Sequence, residues 1–146
     1  MKSRKYTLTK GAEADLDEIH QRSLELFGCG QTNKFMSDLN RAAEFAAANV
    51  GKIPTRSHLT GESGLSLYPV NSHFIAYRPV AKNHIVIIAV FRQSRDITRF
   101  ILSEADKFKM DFAEIERKIE NGEIKLAARA RKPRPRPAIR VKQGKV

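Results

Sequence analysis

The chain has 146 residues, of which 41% are hydrophobic, and this length and composition suit one domain with one compact core. Its single cysteine excludes an internal disulfide framework and a cysteine-rich zinc site, and it fits a cytoplasmic protein. No apolar run approaches the roughly 20 residues of a membrane span, so we expect neither a secretory signal nor membrane contact.

The net charge of +11 is unevenly distributed along the chain. Residues 124–146 contain four lysines, five arginines and no acidic residue, whereas the other 123 residues carry 18 basic and 16 acidic side chains. The chain is therefore a nearly neutral body with a basic tail. Prolines alternate with arginines between residues 131 and 137, which blocks helix and sheet and favours an extended or disordered arm.

The first third of the chain predicts a short strand followed by a helical hairpin. Residues 4–9 alternate between polar and apolar side chains, as a half-buried strand does. Thr9 is a suitable N-cap for the helix that follows, and its apolar stripe consists of Ala12, Leu16, Ile19, Leu26 and Phe27. The glycines of segment 28–30 end that helix, and a second helix covers roughly 31–49. So short a linker predicts that the two helices pack antiparallel.

The middle of the chain predicts a loop and then three strands. Glycines and a proline mark the loop over 51–64, and the strands cover residues 65–70, 73–78 and 84–91. The two-residue link Asn71-Ser72 suits a hairpin turn. The third strand is a continuous apolar run, which is typical of a central strand buried on both faces. Pro69 and Pro79 should lie at a strand end or on a sheet edge, because proline cannot donate a ladder hydrogen bond.

A further amphipathic helix is expected over 103–128, where one apolar face is formed by Ala105, Phe108, Phe112, Ile115 and Ile119. Such a face either covers its own domain or meets a partner, and we expect the first. The predicted fold is α+β, in the order β-α-α-β-β-β. A helical hairpin packs on a small, mainly antiparallel sheet, and the helix is added at the C-terminus. The expected division is a domain over 1–102, this helix, and a basic Pro-rich arm over 129–146.

Several short motifs occur in a fixed order over about residues 5–102. They are Leu8-Thr9, the helix start from Ala12 to Ile19, Phe27-Gly28, Tyr68-Pro69-Val70, the strand from His73 to Arg78, and Ser94-Arg95-Asp96. In this order and spacing they resemble the toxins of the ParE/RelE superfamily of bacterial type II toxin–antitoxin modules, and the ParE branch most closely. The resemblance implies the same fold that the hydrophobic pattern predicts.

The ParE resemblance implies a toxin that binds and inhibits DNA gyrase without catalysing a reaction, so no catalytic residue is expected. A cognate antitoxin, a ParD-like ribbon-helix-helix protein with an acidic toxin-binding segment, is expected to neutralise it by lying across the hairpin and the sheet. We expect no cofactor and no metal, because no pair of histidines has ligand spacing and the glycines of 28–30 lack the setting of a phosphate loop.

Four arginines are the candidate target-binding residues, namely Arg78, Arg92, Arg95 and Arg99. The plainer alternative is that Arg78 pairs with an acid and that Asp96 pairs with Arg92 or Arg99 at a solvated helix start. In the basic arm, the candidate nucleic-acid contacts are Arg129, Arg131, Lys132, Arg134 and Arg136. Such an arm binds DNA without sequence specificity or is simply solvated.

Two other functions remain open. A RelE-like toxin cleaves mRNA on the ribosome, which needs a base, a cation and an acid. The candidate cations are Arg56, Arg78, Arg92 and Arg95, and His84 is the only near-neutral titrating group expected to start the last strand. No Tyr or His follows that strand, which weighs against a nuclease. Departures from the family pattern at Ser66, Ala89 and Arg92 leave a third possibility, an accessory nucleic-acid-binding protein with an inactive toxin-like body.

Overall fold

The computed structural model describes residues 5–53 and 65–124, which build one sheet with helices on both of its faces. The strands are β1 Tyr6–Leu8, β2 Ser66–Val70, β3 His73–Ala81 and β4 His84–Arg92. The helices are α1 Lys10–Ala48, α2 Ile97–Ser103 and α3 Ala105–Glu120. The α+β fold expected from the sequence is confirmed.

The four strands lie in the order β1-β4-β3-β2, with β1 parallel to β4 and the other pairs antiparallel. β4 therefore has a neighbour on each side, and every residue from His84 to Phe91 is buried. The prediction of a central strand covered on both faces is confirmed. The expected mainly antiparallel sheet is confirmed as well.

The turn and proline positions also follow the sequence prediction. Asn71 begins the β2–β3 turn with a φ of 55°, in the left-handed region that asparagine tolerates. Pro69 lies in the edge strand β2. Pro79 lies in β3 beyond Tyr77, the last residue that β2 pairs with, so its missing donor costs no bond to β2.

α1 is a hairpin of two helical arms that meet at Gly28, whose φ of 84° and ψ of 176° break the helix at a single residue. Thr9 caps the first arm by accepting a hydrogen bond from the Ala12 N–H at 3.1 Å. The Thr32 hydroxyl lies 2.8 Å from Ser23 Oγ and 2.9 Å from the Gly28 carbonyl oxygen. In a straight helix residues 23 and 32 would lie about 13 Å apart, so this contact requires the arms to fold back at Gly28. The predicted helical hairpin is confirmed, with a tighter break than expected.

The sheet separates two apolar cores. The first core lies between the sheet and the α1 hairpin, and its fully buried members include Ala12, Ala43, Ile75, Ile85 and Ile87. The second core lies on the opposite face, under α2 and α3, and it contains Phe91, Ile97, Ile101, Phe108, Phe112 and Ile115. Since residues of β3 and β4 alternate between the two cores, the molecule has three layers.

The C-terminal helical region differs from the single helix expected over 103–128. It consists of α2 and α3, which meet at Glu104, and it begins with Asp96, whose side chain caps α2. α3 ends at Glu120, and Gly122 follows with a φ of 82° that a helix cannot continue through. Residues 125–128 and the whole expected arm lie outside the described residues. Within the described ranges, no helix is both long enough and apolar enough to cross a membrane.

Candidate target-binding surfaces

Arg78 lies under the C-terminal helix and not on an open surface. Its neighbour Tyr77 is only 3% exposed and packs in the first core, so Arg78 points to the opposite face of β3. There its guanidinium carbon lies 4.5 Å from the centre of the Phe112 ring of α3. This is cation–π distance, and the side chain is half-buried. The expected division of Tyr77 and Arg78 between two faces is confirmed, and the cover over Arg78 is a long-range contact that sequence reasoning missed.

The other three candidate arginines form one exposed group, which we call the arginine patch: Arg92, Arg95 and Arg99. Arg92 ends β4, and Arg95 stacks its guanidinium carbon 4.2 Å from the centre of the Phe100 ring. The Asp96 carboxylate accepts the backbone N–H of Arg99 at 3.3 Å as the cap of α2. None of the ion pairs found among residues 5–53 and 65–124 involves the patch, so its three guanidinium groups are exposed and are not held by an acidic side chain there.

Two histidines at strand ends are built into the sheet. Burial lowers the pKa of His73, which pairs across the sheet with Arg92, and the charge of that arginine lowers it further. Its ring packs against Phe35 with centroids 5.2 Å apart. Burial also lowers the pKa of His84, whose Nε2 lies 2.8 Å from Thr7 Oγ1 and so links β4 to β1. Both rings therefore favour the neutral form.

Position separates His84 from the arginine patch. The two lie at opposite ends of β4, and the eight residue steps between His84 and Arg92 correspond to about 26 Å. A base and a phosphate-binding cation must both reach one phosphodiester, so these residues do not form one catalytic group. Of the other nuclease candidates, Arg56 lies outside the described residues.

A groove on the hairpin side of the molecule was not predicted. It has a volume of about 460 Å³ and lies between the second arm of α1 and the edge strand β2; its lining residues are Asp38, Arg41, Ala42, Phe45, Tyr68, Pro69, Val70 and Asn71. We call it the hairpin groove. Phe45 is 49% exposed, and its ring centre lies 5.7 Å from that of Tyr68, so the two rings form an apolar wall that solvent reaches. The apolar stripe of the second arm includes Leu39, Ala43 and Ala46, and the sequence signal for the groove is that the apolar Phe45 lies outside this stripe.

The rim of the hairpin groove is held by Asp38. Its carboxylate accepts hydrogen bonds from Lys34 at 3.1 Å, Arg41 at 2.6 Å and Asn71 at 3.3 Å. These donors, the Lys34 amine first, hold the pKa of the Asp38 carboxyl below its usual value. The network fixes the Arg41 guanidinium beside the groove while 72% of that side chain stays exposed.

The tip of the α1 hairpin is apolar and exposed, contrary to the sequence prediction. Leu26 and Phe27 were expected on the buried stripe of the first arm, but they are 65% and 66% exposed. The helical periodicity continues to the tip, whereas neither side chain belongs to the two cores formed by residues 5–53 and 65–124. Cys29 is exposed beside them.

Asp15 joins the first arm of α1 to β4, and it was also missed. β1 pairs with β4 only as far as Leu8 and Ile87, so the next part of that edge has no neighbouring strand. Asp15 Oδ2 accepts the Val90 N–H at 3.0 Å and satisfies this edge. Burial raises the pKa of the Asp15 carboxyl, although that hydrogen bond and the nearby Lys107 charge act in the other direction.

Comparison with known proteins decides the family. The sequence model described as "ParE toxin of type II toxin-antitoxin system, parDE" matches residues 6–97, which is more than half of the chain. The chain belongs to the ParE toxin family. It is thus a ParE-type toxin of a type II toxin–antitoxin system, and the resemblance read from the sequence motifs is confirmed.

Individual relatives agree with this assignment. Two curated proteins named Toxin ParE1, from Mycobacterium tuberculosis strains CDC 1551 / Oshkosh and ATCC 25618 / H37Rv, are each 28% identical to it over 99 residues. Those alignments cover 66% of this chain and 97% of each relative. A solved structure described as "Chromosomal ParDE TA system from P. aeruginosa" has a TM-score of 0.51 at 20% identity, over 60% of this chain and 94% of that one. This last likeness concerns the fold.

Proposed function

We propose that this ParE-family toxin acts by binding DNA gyrase, and that the arginine patch is part of the surface that meets the enzyme. The observation that supports the proposal is that three exposed arginines at one end of the sheet form none of the ion pairs found among the described residues. The Asp96 carboxylate, the nearest acid in sequence, is occupied by the backbone of α2. A positive patch of this kind raises the rate of encounter with an acidic surface and its specificity.

The mode of action that we propose is binding without catalysis. His84 and Arg92 lie about 26 Å apart along β4. His73, which is near Arg92, is 9% exposed, and burial lowers its pKa. A buried histidine that packs on Phe35 is not presented to a phosphodiester. The proximity of His73 to Arg92 is nevertheless the one feature that favours the alternative, a ribosome-dependent mRNA endoribonuclease.

A binding measurement with patch variants tests the gyrase proposal. We expect the Arg92→Glu, Arg95→Glu double variant to weaken binding to purified gyrase by about 100-fold, since each reversed rim charge costs on the order of 1–2 kcal/mol. Arg22→Glu is the control, because Arg22 is also exposed but lies on α1 beside Glu18, away from the arginine patch in sequence. Equal binding by the double variant and this control would remove the arginine patch from the target surface.

We propose that the cognate antitoxin neutralises this toxin through the hairpin groove. The solved structure that resembles this chain is described as a ParDE system, which pairs a toxin with its antitoxin. The groove offers an aromatic wall for an apolar side chain, and the anchored Arg41 for the acidic segment expected of the antitoxin. The experiment is titration of a co-expressed ParD-like antitoxin against Phe45→Ala and Arg41→Ala. We expect weaker binding for both, and unchanged affinity in both would contradict this docking site.

The basic arm is proposed to add nonspecific DNA contact. The arm lies outside the described residues, so the support is the charge of the tail: nine basic and no acidic side chains over 124–146. Deleting 124–146 should leave growth arrest nearly intact and should lower retention on DNA at low salt, because each phosphate contact that is lost no longer releases a counterion. Equal retention with and without the arm, at the same salt concentration, would contradict DNA contact by the arm.

A further inference from the structure

The second face of the sheet is covered by a segment that the family match does not include. That match ends at residue 97, whereas α3 begins at Ala105. Three side chains of α3 are nevertheless buried in the second core, namely Phe108, Phe112 and Ile115. The apolar face of β3 and β4 is thus closed in this chain by a helix that follows the ParE-type segment.

The cover lies directly on one of the candidate target residues. Phe112 packs on the Arg78 guanidinium at 4.5 Å, and Arg78 is half-buried as a result. Around it, the second core contributes apolar side chains from β3 and β4. Without α3, one positive charge would lie in an exposed apolar patch, and a large exposed apolar patch on a protein is typical of a surface that binds another protein.

α3 carries one poorly satisfied contact where it meets α1. Asp111 Oδ2 is buried and has no hydrogen-bond partner among the residues described. It lies over Gly11 so closely that a β-carbon at that glycine would be 2.7 Å away. The Lys107 amine lies 3.6 Å from the same β-carbon position but donates no hydrogen bond to this oxygen, so the docked state loses a hydrogen bond that water would supply once α3 moves away. Because α3 contributes no strand to the sheet, its release leaves every ladder intact.

We propose that α3 is an autoinhibitory cover: docked, it withholds Arg78 and the second face of the sheet from the protein target, and released, it makes both available. This inference extends the proposed function, because the target surface would then include Arg78 as well as the arginine patch. A docked helix reduces the apparent affinity for the target by the fraction of molecules in which it is released.

A reversible lock tests the cover. In a Cys29→Ser background, which removes the only native cysteine, Gly11→Cys and Asp111→Cys place two thiols where the glycine and the carboxylate now meet. Oxidation joins the two thiols in a disulfide that fixes α3 against α1, and reduction of that disulfide frees α3. Modification of Arg78 by phenylglyoxal, followed by mass spectrometry, should be at least about tenfold slower in the oxidised form. The exposed Arg92 should react equally in both forms. Equal reactivity of Arg78 in the two forms would overturn the proposal.

A second pair of variants applies if the lock prevents folding. Phe112→Ala removes the ring that covers Arg78, while Met110→Ala truncates an apolar residue of the same helix that is 73% exposed. We expect Phe112→Ala to raise the reactivity of Arg78 and to make the amides of α3 exchange at least about tenfold faster, with the amides of β4 unchanged. Met110→Ala should do neither. Exchange of α3 only together with β4 in the Phe112 variant would show a fixed structural helix and overturn the cover.

Gyrase inhibition then separates the cover from the proposed function. We expect the reduced form of the lock to inhibit supercoiling at concentrations about tenfold lower than the oxidised form. Equal inhibition by both forms would overturn autoinhibition. If neither form inhibits, the gyrase proposal fails, and the reactivity of Arg78 still decides whether α3 covers it.

Discussion

The two faces of the sheet are equally apolar but are closed in different ways. Ile87 and Ile88 lie side by side in β4, are 0% and 1% exposed, and belong to the first and second cores respectively. The first core is closed by α1, which lies wholly inside the segment that the ParE family model matches. The second core is closed by α2 and α3, of which α3 lies wholly beyond it. One face is therefore closed by a helix inside the matched segment, and the other is closed partly by a helix that follows that segment.

Core truncations give the largest expected effect and test this comparison directly. Ile87→Ala and Ile88→Ala should each lower the free energy of unfolding by about 2–5 kcal/mol, because β4 is shared by both cores. Phe112→Ala should lower it by less than either, since release of α3 limits what its contacts contribute to global stability. Urea denaturation followed by circular dichroism measures all three. A loss for Phe112→Ala as large as that for Ile88→Ala would make the second face as fixed as the first.

Asp15 tests how firmly the hairpin face is attached to β4. Asp15→Ala leaves the Val90 N–H without its acceptor and should cost about 1–3 kcal/mol. Asp15→Asn keeps an acceptor oxygen and removes a charge whose burial is unfavourable, so it should be nearly as stable as the native chain at pH 7. The same urea titration distinguishes them, and equal losses in the two variants would show that the hydrogen bond is not what Asp15 contributes.

Asp15 should also make the free energy of unfolding depend on pH, and the sign of this dependence follows from its raised pKa. Because its pKa is raised in the folded protein, the folded state binds the proton first as the pH falls. Its contribution to stability therefore rises as the pH falls from the raised pKa towards 3.8, the ordinary value. Asp15→Asn should remove this rise. A native and a variant chain with parallel stability curves over that window would contradict the assignment.

His73 and His84 predict the opposite trend at higher pH. Both have a lowered pKa when folded, so the unfolded chain binds protons first as the pH falls below 6.5. Their stabilising contribution is complete above that pH and is lost below it, by at most about 1.4 kcal/mol per pH unit for each group. Denaturation midpoints at pH 7.5 and 5.5 should converge in the His73→Gln, His84→Gln variant. An unchanged difference would place the titration elsewhere.

The smallest expected effect concerns the arginine patch. Arg95 stacks on Phe100 at an exposed position, so Arg95→Ala should cost about 0.5–1 kcal/mol of stability. Arg99→Ala is the matched control, since the contact that involves Arg99 is made by its backbone and should survive. Thermal denaturation compares the two. Equal melting temperatures would show that the stack does not stabilise the fold.

Local signals predicted the backbone of the fold. The apolar run of β4, the cap at Thr9 and the break at Gly28 each depend on a few neighbouring residues, and each is where the sequence places it. The surroundings of Arg78 and Asp15 depend on contacts with Phe112 and Val90, which are distant in sequence. Periodicity also does not show which part of an apolar stripe has a packing partner. Phe27 lies on the stripe of the first arm but is 66% exposed.

The division of the C-terminal region into α2 and α3 shows the same limit. The apolar spacing within α3 is visible in the sequence, and a helix start at Asp96 is one of its alternatives, but the Asp96 side chain caps the backbone of α2 and makes no ion pair among the described residues. Which of the two sheet faces α3 would cover was not encoded in any local pattern. Its place follows from the apolar side chains that β3 and β4 present to the second core.

The most direct test of the proposed function compares two activities of the purified native chain. Supercoiling by DNA gyrase is measured with increasing toxin, and cleavage of ribosome-bound mRNA is measured in parallel with the same preparation. Binding without catalysis predicts inhibition of supercoiling that the cognate antitoxin reverses, together with intact mRNA. Cleaved mRNA with unaffected supercoiling would contradict the account and would assign the toxin to the ribosome.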